Sequence, residues 1–383
     1  MKIFVIAGEP SGDKLGAALM AGLKQLRPDV TFDGVGGPLM RAEGLVSRFL
    51  MDELSVMGLA EILPKYRALK ARIREMATAI LETQPDILIT IDSPDFCLRV
   101  ARLVKAASDI RTVHYVAPTV WAWRPGRAQK MAAHIDHVLA LFPFEPPYME
   151  AAGMECDFVG HPVVAEPVTD AAEAAGLGKG TVVLVLPGSR KGEVSRLADR
   201  FGAAVVQIAK AVPEAQFVIP TTAGVHALVK ERVASWTVPV TVLDPDDPRK
   251  RAWFRRAHVA LAASGTVSLE LAANETPMVI AYDMAWLSRI IISRMLRVDT
   301  VTLVNLVSET RAVPEFIGKD CQPGPIADAV LDVLANPDAQ REAMALTMTR
   351  LGLGGKAPGL RAAEAVLQRF EQATVKDDQP KRQ

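Results

Sequence analysis

Short, continuously apolar runs followed by helically spaced apolar positions recur along the chain. Residues 3–7 are apolar throughout. After Gly8-Glu9-Pro10-Ser11-Gly12-Asp13, the residues Leu15, Ala18, Leu19, Gly22, Leu23 and Leu26 keep a spacing of three and four. An unbroken apolar run is the pattern of a parallel strand covered on both faces, and the spacing after it is that of an amphipathic helix. The β–loop–α unit returns at residues 87–91, 112–116 and 138–142. A proline-spaced segment, His161-Pro-Val-Val-Ala-Glu-Pro167, breaks the rhythm as an interdomain linker would. Beyond it the alternation restarts, with strands expected at 181–186, 216–220, 240–243, 258–263 and 278–282. The pattern predicts an α/β protein of two Rossmann-like parallel-sheet domains facing a cleft, at 1–163 and 168–350.

Bulk properties narrow this little. At 383 residues the chain exceeds one ordinary core, and 50% hydrophobic residues suffice for two. Lys and Arg number 44 against 44 Asp and Glu, so no global field points to nucleic acid. Cys97, Cys156 and Cys321 are far apart and form no CxxC, which argues against a disulfide framework or zinc ribbon and fits a reducing cytoplasm. The start, Met1-Lys2-Ile3-Phe4-Val5, runs into a strand without the apolar core of a signal peptide, and no uncharged run is long enough to span a bilayer.

Local charge adds something. Residues 62–74 carry five cations and no acid, while Ile62, Leu63, Tyr66, Leu69 and Ile73 form an apolar face, a composition suited to a bilayer surface. A second acid-free run, 286–297, is more apolar and is explained as readily by a helix packed on a core. Together the two runs point to an anionic or lipid surface.

The loops at strand ends hold the candidate chemistry. Ser264-Gly265-Thr266 separates the apolar run 258–263 from a helical segment. Small residues there let a ligand approach the backbone, and the helix start favours phosphate. Glu270, about one turn in, is placed to accept from vicinal hydroxyls such as a ribose. In Leu186-Pro-Gly-Ser-Arg190, Gly188 and Ser189 offer donors and Arg190 a planar fork for phosphate. Each loop alone is an ordinary turn; as a pair in one domain they describe a nucleotide pocket. In the first domain Asp92 and Asp95 flank Ser-Pro at a strand end. One is expected to cap the next helix, and Asp95 to serve as general base. Asp13 is the better cap candidate of its loop and Glu9 the better ligand contact. Asp244-Pro-Asp246 is formally a DxD motif, but with Asp247 and Pro248 it is simpler as a turn. The six histidines show no metal-binding spacing, and Gly34-Val-Gly36-Gly37 lacks the third glycine of a dinucleotide fingerprint. Neither a metal nor a cofactor is expected.

With these loops in view the chain resembles the lipid-A-disaccharide synthases over nearly its whole length. The resemblance rests on Gly8-Glu-Pro-Ser-Gly-Asp13, Val56-Met-Gly58, Ile91-Asp-Ser-Pro-Asp-Phe96 and His114-Tyr-Val-Ala-Pro-Thr-Val-Trp-Ala-Trp-Arg124. It rests further on Phe158-Val-Gly-His-Pro162, Leu186-Pro-Gly-Ser-Arg190, Ala263-Ser-Gly-Thr266 with Glu270, and Asn305. Any one is weak; their order and spacing together are specific. Cys97, Val304 and Gly318 stand where Asn, Pro and Gln are usual, and none of these departures removes a carboxylate or arginine.

The resemblance implies a GT-B glycosyltransferase, peripheral on the cytoplasmic face of the inner membrane. It would move 2,3-diacylglucosamine from UDP-2,3-diacylglucosamine to 2,3-diacylglucosamine 1-phosphate, with inversion and without a metal; UDP-sugar is donor substrate, not cofactor. It also implies a C-terminal helix, within 351–372, returning to the first domain. Glu9, Ser11 and Gly12 would lie near the sugar, Glu9 as a second catalytic candidate, and Asn305 would touch the donor. Two other classes fit the loops: a UDP-sugar epimerase of the same fold, and a non-catalytic nucleotide-binding protein at the membrane. Acyl-chain length and oligomeric state, a homodimer included, stay open.

Overall fold

A computed structural model describes residues 1–54, 59–177, 180–284 and 298–377, the side chains of 59–66 and 376–377 excepted. The chain divides into two compact units, Met1–Ala165 with the stretch from Gly354 onward, and Glu166–Leu353.

Among the described residues the first unit holds six parallel strands: β1 (Lys2–Ala7), β2 (Thr31–Val35), β3 (Ile87–Ile91), β4 (Arg111–Tyr115), β5 (His137–Ala140) and β6 (Glu155–Phe158), in the order β2-β1-β3-β4-β5-β6. The second unit repeats the plan with β7 (Val182–Leu186), β8 (Gln216–Pro220), β9 (Val240–Leu243), β10 (Val259–Ala262), β11 (Met278–Tyr282) and β12 (Glu315–Ile317), ordered β12-β11-β10-β7-β8-β9. β3 and β7 lie inside their sheets and every residue of both is buried, so β7 is an unbroken apolar run and β3 is interrupted by Thr90 alone, rather than alternating. In β1, Phe4 and Ile6 join a core layer with Met76, Ile80, Val100 and Val104. Ile3 and Val5, on the opposite face, are buried as completely.

Each sheet reverses direction once. The chain steps outward from β1 to β2, then resumes at β3 on the other side of β1. It steps outward from β7 through β8 to β9, then resumes at β10 on the other side of β7. Adjacent connections there run to opposite faces and leave a crevice at the carboxyl ends of the strands, where open α/β sheets take ligands.

The Pro358–Asp377 helix belongs to the first unit and lies on the first helix, Pro10–Leu26. The approach is close because two glycines meet there: a Cβ on Gly359 would fall 2.5 Å from the Ala18 carbonyl oxygen, and one on Gly22 2.8 Å from that of Gly359. Arg369 grips Asp157 with two hydrogen bonds of 2.8 and 3.0 Å, and Arg361 donates to the Phe158 carbonyl at 2.8 Å.

The basic stretch needs correction in part. It lies in the Leu59–Thr83 helix. Ile73 is buried in the first core, and Leu69 packs against it. Their face of the helix covers the sheet, so the stripe assigned to lipid is, at these two positions, the stripe that builds the core. The side chains of Ile62, Leu63 and Tyr66 lie outside the described residues, as do Val56-Met-Gly58 and the run 286–297. No described helix is long and apolar enough to cross a membrane.

Candidate active site

At the switch point of the first unit, the loops after β1 and β3 touch. A Cβ on Gly8 would sit 2.7 Å from Ser93 Oγ. Glu9 is the N-cap residue of the first helix, half-buried, and its carbonyl accepts the Asp13 N–H at 2.9 Å. Ser11 is exposed on the first turn. Gly12 is buried, and a Cβ there would lie 3.3 Å from Ala7 Cβ. Its Cα faces the sheet and lets the helix settle on it. Asp13 does cap a helix, but a neighbouring one. Its buried carboxylate accepts from Gly37, Leu39 and Met40 N–H at 2.8, 3.0 and 3.0 Å, at the start of Pro38–Ala42.

The backbone after β3 is strained. Asp92 and Ser93 are both left-handed, with φ of 51° and 43°, and beside them after β4 the β-branched Val116 has φ of 85°. Such conformations cost roughly 1–3 kcal/mol each and cluster at functional sites. The Asp92 N–H donates to the Tyr115 carbonyl at 3.0 Å, fixing the turn to β4. Neither aspartate caps the following Pro94–Lys105 helix; Ser93 holds that position, without a side-chain cap bond. Asp95 is the second residue of the helix and exposed.

In the second unit the switch point falls between β7 and β10, where Leu186 pairs with Ala262 and Ala263 N–H donates to the Leu186 carbonyl at 2.8 Å. Residues 187–190 and 263–266 therefore leave the sheet side by side. Gly188 has φ of 118°, and a Cβ on it would fall 2.5 Å from Glu193 Cβ, so only glycine fits there. The Ser189 and Arg190 N–H groups donate to Glu193 Oε2 at 3.1 and 3.3 Å. These main-chain donors are thus taken inside the loop, where a ligand had been expected. What the loop turns outward is the exposed Ser189 and the Arg190 side chain, 69% exposed, with one nitrogen 3.4 Å from Glu193 Oε1. Gly265, with φ of 153°, and Thr266 are exposed; Ser268 Oγ donates to the Gly265 carbonyl at 2.9 Å and pins the turn. Ser264 is half-buried, and Glu270 is exposed on the short Val267–Ala273 helix.

Asn305 needs correction as a donor contact. It is completely buried; its Nδ2 donates to the Val313 carbonyl at 2.9 Å and to Thr300 Oγ1 at 3.3 Å, and its Oδ1 accepts the Val313 N–H at 3.0 Å. Its amide holds two chain segments together and faces no opening. Asp244 follows β9, the outer strand on its side of the sheet, and pairs with His226 at 3.2 Å and Lys230 at 3.6 Å. The DxD thus stands away from the switch point. Among the described residues no cluster of three or more His, Cys, Asp or Glu is set to hold a metal.

Two buried glutamates were not singled out from the sequence. Glu193, three residues after Arg190, had the spacing of a capping box as its signal. Glu145 follows β5 with no comparable signal. Only 2% exposed, it accepts from Leu141 and Phe142 N–H at 3.0 Å each and from Trp121 Nε1 at 3.3 Å. Burial pushes its carboxyl up to about 7 against those hydrogen bonds. Nearby, His161 accepts the Val163 N–H at 3.1 Å, and burial lowers it to about 4.

The two sheets and their loops have relatives. The structure resembles the UDP-GlcNAc 2-epimerase of Neisseria meningitidis, solved with UDP-GlcNAc, at a TM-score of 0.64 and 13% identity over 97% of this chain and all of that one. It resembles the calicheamicin glycosyltransferase CalG4 at 0.59 and 16%, over 97% and 98% of the two chains. At such identities the likeness concerns the fold alone, two Rossmann-like domains of the GT-B type. Sequence reaches further. The chain is 62% identical to the lipid-A-disaccharide synthase of Ruegeria pomeroyi over 383 residues, 97% of this chain and 96% of the relative. The family model described as lipid-A-disaccharide synthetase matches residues 3–368, a span that takes in both switch points and reaches into the returning C-terminal helix, and the chain belongs to that family.

Proposed function

We propose that this glycosyltransferase moves 2,3-diacylglucosamine from UDP-2,3-diacylglucosamine to 2,3-diacylglucosamine 1-phosphate, giving lipid A disaccharide 1-phosphate and UDP. The observation that carries the reading is the family match across both units. The epimerase and the non-catalytic alternatives are not favoured by it. Transfer needs an acceptor hydroxyl relieved of its proton and a departing diphosphate held. The exposed Arg190 fork, with Ser189, Gly265 and Thr266 on the adjoining loop, supports a diphosphate seat. Glu270 takes the ribose hydroxyls in this reading. Asp95 accepts the proton of the acceptor hydroxyl as that oxygen attacks the anomeric carbon and the bond to UDP breaks, one displacement with inversion. Glu9 and Ser11 orient the acceptor at the same switch point.

Purified protein given both lipid substrates should form the disaccharide 1-phosphate, with UDP released in equal amount. EDTA should leave the rate unchanged, because Arg190 and its neighbours stand where a divalent cation would otherwise hold the leaving charge. Loss of activity restored by Mn²⁺ would overturn the metal-independent form, and a UDP-sugar isomer as sole product would overturn the transfer itself.

The diacyl substrates motivate a peripheral place on the cytoplasmic face of the inner membrane, since long acyl tails hold them in the bilayer. Ile62, Leu63 and Tyr66 are the residues to test there, with Leu69 and Ile73 left intact for the core. Serine at those three should reduce co-sedimentation with anionic vesicles at unchanged thermal stability. Undiminished sedimentation would remove that patch from the membrane contact.

A further inference from the structure

The segment Ala117-Pro-Thr-Val-Trp-Ala-Trp-Arg124 follows β4, and no step described so far uses it. It leaves the carboxyl edge of the sheet beside the strained Asp92–Ser93 turn, since Ile91 pairs with Tyr115 and Tyr115 with Leu139. Its backbone is left-handed at both ends, Val116 with φ of 85° and Arg124 with φ of 52°. Both indole N–H groups are engaged by the protein, Trp121 Nε1 with the buried Glu145 at 3.3 Å and Trp123 Nε1 with the exposed Thr119 Oγ1 at 3.1 Å. Phe144 meets Trp121 edge to face at 5.1 Å and stacks on Phe142 at 5.4 Å, forming a wall behind it. Trp121 and Trp123 are only half-buried, and the exposed Arg124 lies over the Trp123 ring at 4.4 Å.

With their polar edges spent on the protein, the two indoles have ring faces to present, and the Arg124 guanidinium covers one face of Trp123. A pyranose lays its C–H face on an aromatic ring, and a guanidinium beside that ring suits a phosphate oxygen. We propose that Trp121, Trp123 and Arg124 form the subsite for the amino-sugar ring and the phosphate of the acceptor. Glu145 is the positioning residue that fixes the Trp121 plane. This rests on the transfer reading above.

The test measures initial rates with acceptor and donor varied separately. Arg124→Gln, on an exposed side chain, should raise the acceptor KM about tenfold to a hundredfold, the scale of one charge-assisted hydrogen bond, and leave the donor KM unchanged. With an acceptor lacking the 1-phosphate, wild type and Arg124→Gln should have the same KM. Trp121→Ala should raise the acceptor KM with either acceptor, and Trp121→Phe, which keeps a ring face but not the N–H, should recover part of that loss. Glu145→Gln, which retains an acceptor for the indole, should do better than Glu145→Ala in acceptor KM at equal donor KM. If wild type makes no disaccharide, the transfer reading fails. If wild type is active and these variants leave the acceptor KM unchanged, or raise both KM values together, the subsite is wrong while the transfer reading stands.

Discussion

Asp95→Asn is expected to lower kcat by about 10²–10⁴-fold, the usual contribution of a positioned base, while UDP binds with unchanged affinity. The asparagine keeps the shape of the side chain and cannot take up the hydroxyl proton. Asp95 is exposed on the first turn of its helix, so the fold should tolerate the change to within about 0.5 kcal/mol. Two successive left-handed residues, Asp92 and Ser93, turn the chain sharply where β3 meets β1, and Asp95 is the next carboxylate after that turn. Asp13 is excluded because its oxygens hold the main chain of a neighbouring helix. Glu9→Gln and Asp92→Asn are the necessary companions, and each should reduce turnover less than Asp95→Asn. Near-normal turnover in Asp95→Asn, or a larger loss in Glu9→Gln, would move the base to another residue. A fall in UDP affinity without a fall in kcat would remove Asp95 from proton transfer.

Several inner strands were legible in the sequence because burial on both faces leaves little that is polar in them; the exception in β3 is Thr90, whose hydroxyl donates to the Val113 carbonyl. Ile87–Ile91 and Met278–Tyr282 could be read to the residue. β2, β6 and β12 were not, and all three are edge strands. Thr-Phe-Asp-Gly-Val, Glu-Cys-Asp-Phe and Glu-Phe-Ile are short and carry acids, as edges open to water on one side do, and so resemble loops. The same limit applies to the site. Composition and spacing located the loops at both switch points, because glycine, serine and arginine after an apolar run are a local signal. What each polar group faces is set by partners distant in sequence. The amide of Asn305 is taken by Val313 and Thr300, and nothing in the local sequence marks those partners. Leu69 and Ile73 had the periodicity of any amphipathic helix, which does not say whether lipid or sheet lies opposite.

Acid should unfold this protein through its histidines, and a single glutamate should temper the slope. His114 is 2% exposed and pushed down by burial from 6.5 to about 4, with its Nδ1 2.8 Å from Thr90 Oγ1. His161 is 8% exposed and lowered likewise to about 4. A base whose folded pKa is depressed stays neutral in the fold and charges more readily in the unfolded chain. Its contribution is therefore complete above 6.5, falls as the pH drops from there, and levels off below about 4. Each tenfold loss of proton affinity on folding corresponds to about 1.4 kcal/mol, so the pair is worth roughly 7 kcal/mol across that interval, a large share of a typical domain's stability. Glu145 runs the other way. Its folded pKa is raised from 4.5 to about 7, so its contribution is full below 4.5 and is lost as the pH rises through about 7. Between pH 6.5 and 4.5 the fold holds a proton at Glu145 that the unfolded chain lacks, while the unfolded chain holds two at the histidines that the fold lacks, so one of those two is offset. Glu145→Gln abolishes the offset. Urea unfolding of the variant at several pH values in that window should show stability falling more steeply than wild type by about one proton, roughly 1.4 kcal/mol per pH unit. His134 and His258, part-buried and also shifted downward by burial first, steepen both proteins alike and cancel in the comparison. Equal slopes would mean that Glu145 is ionised in the fold throughout the window. The carboxylate holding Leu141, Phe142 and Trp121 would then be charged, and the desolvation assigned to it would be relieved by water.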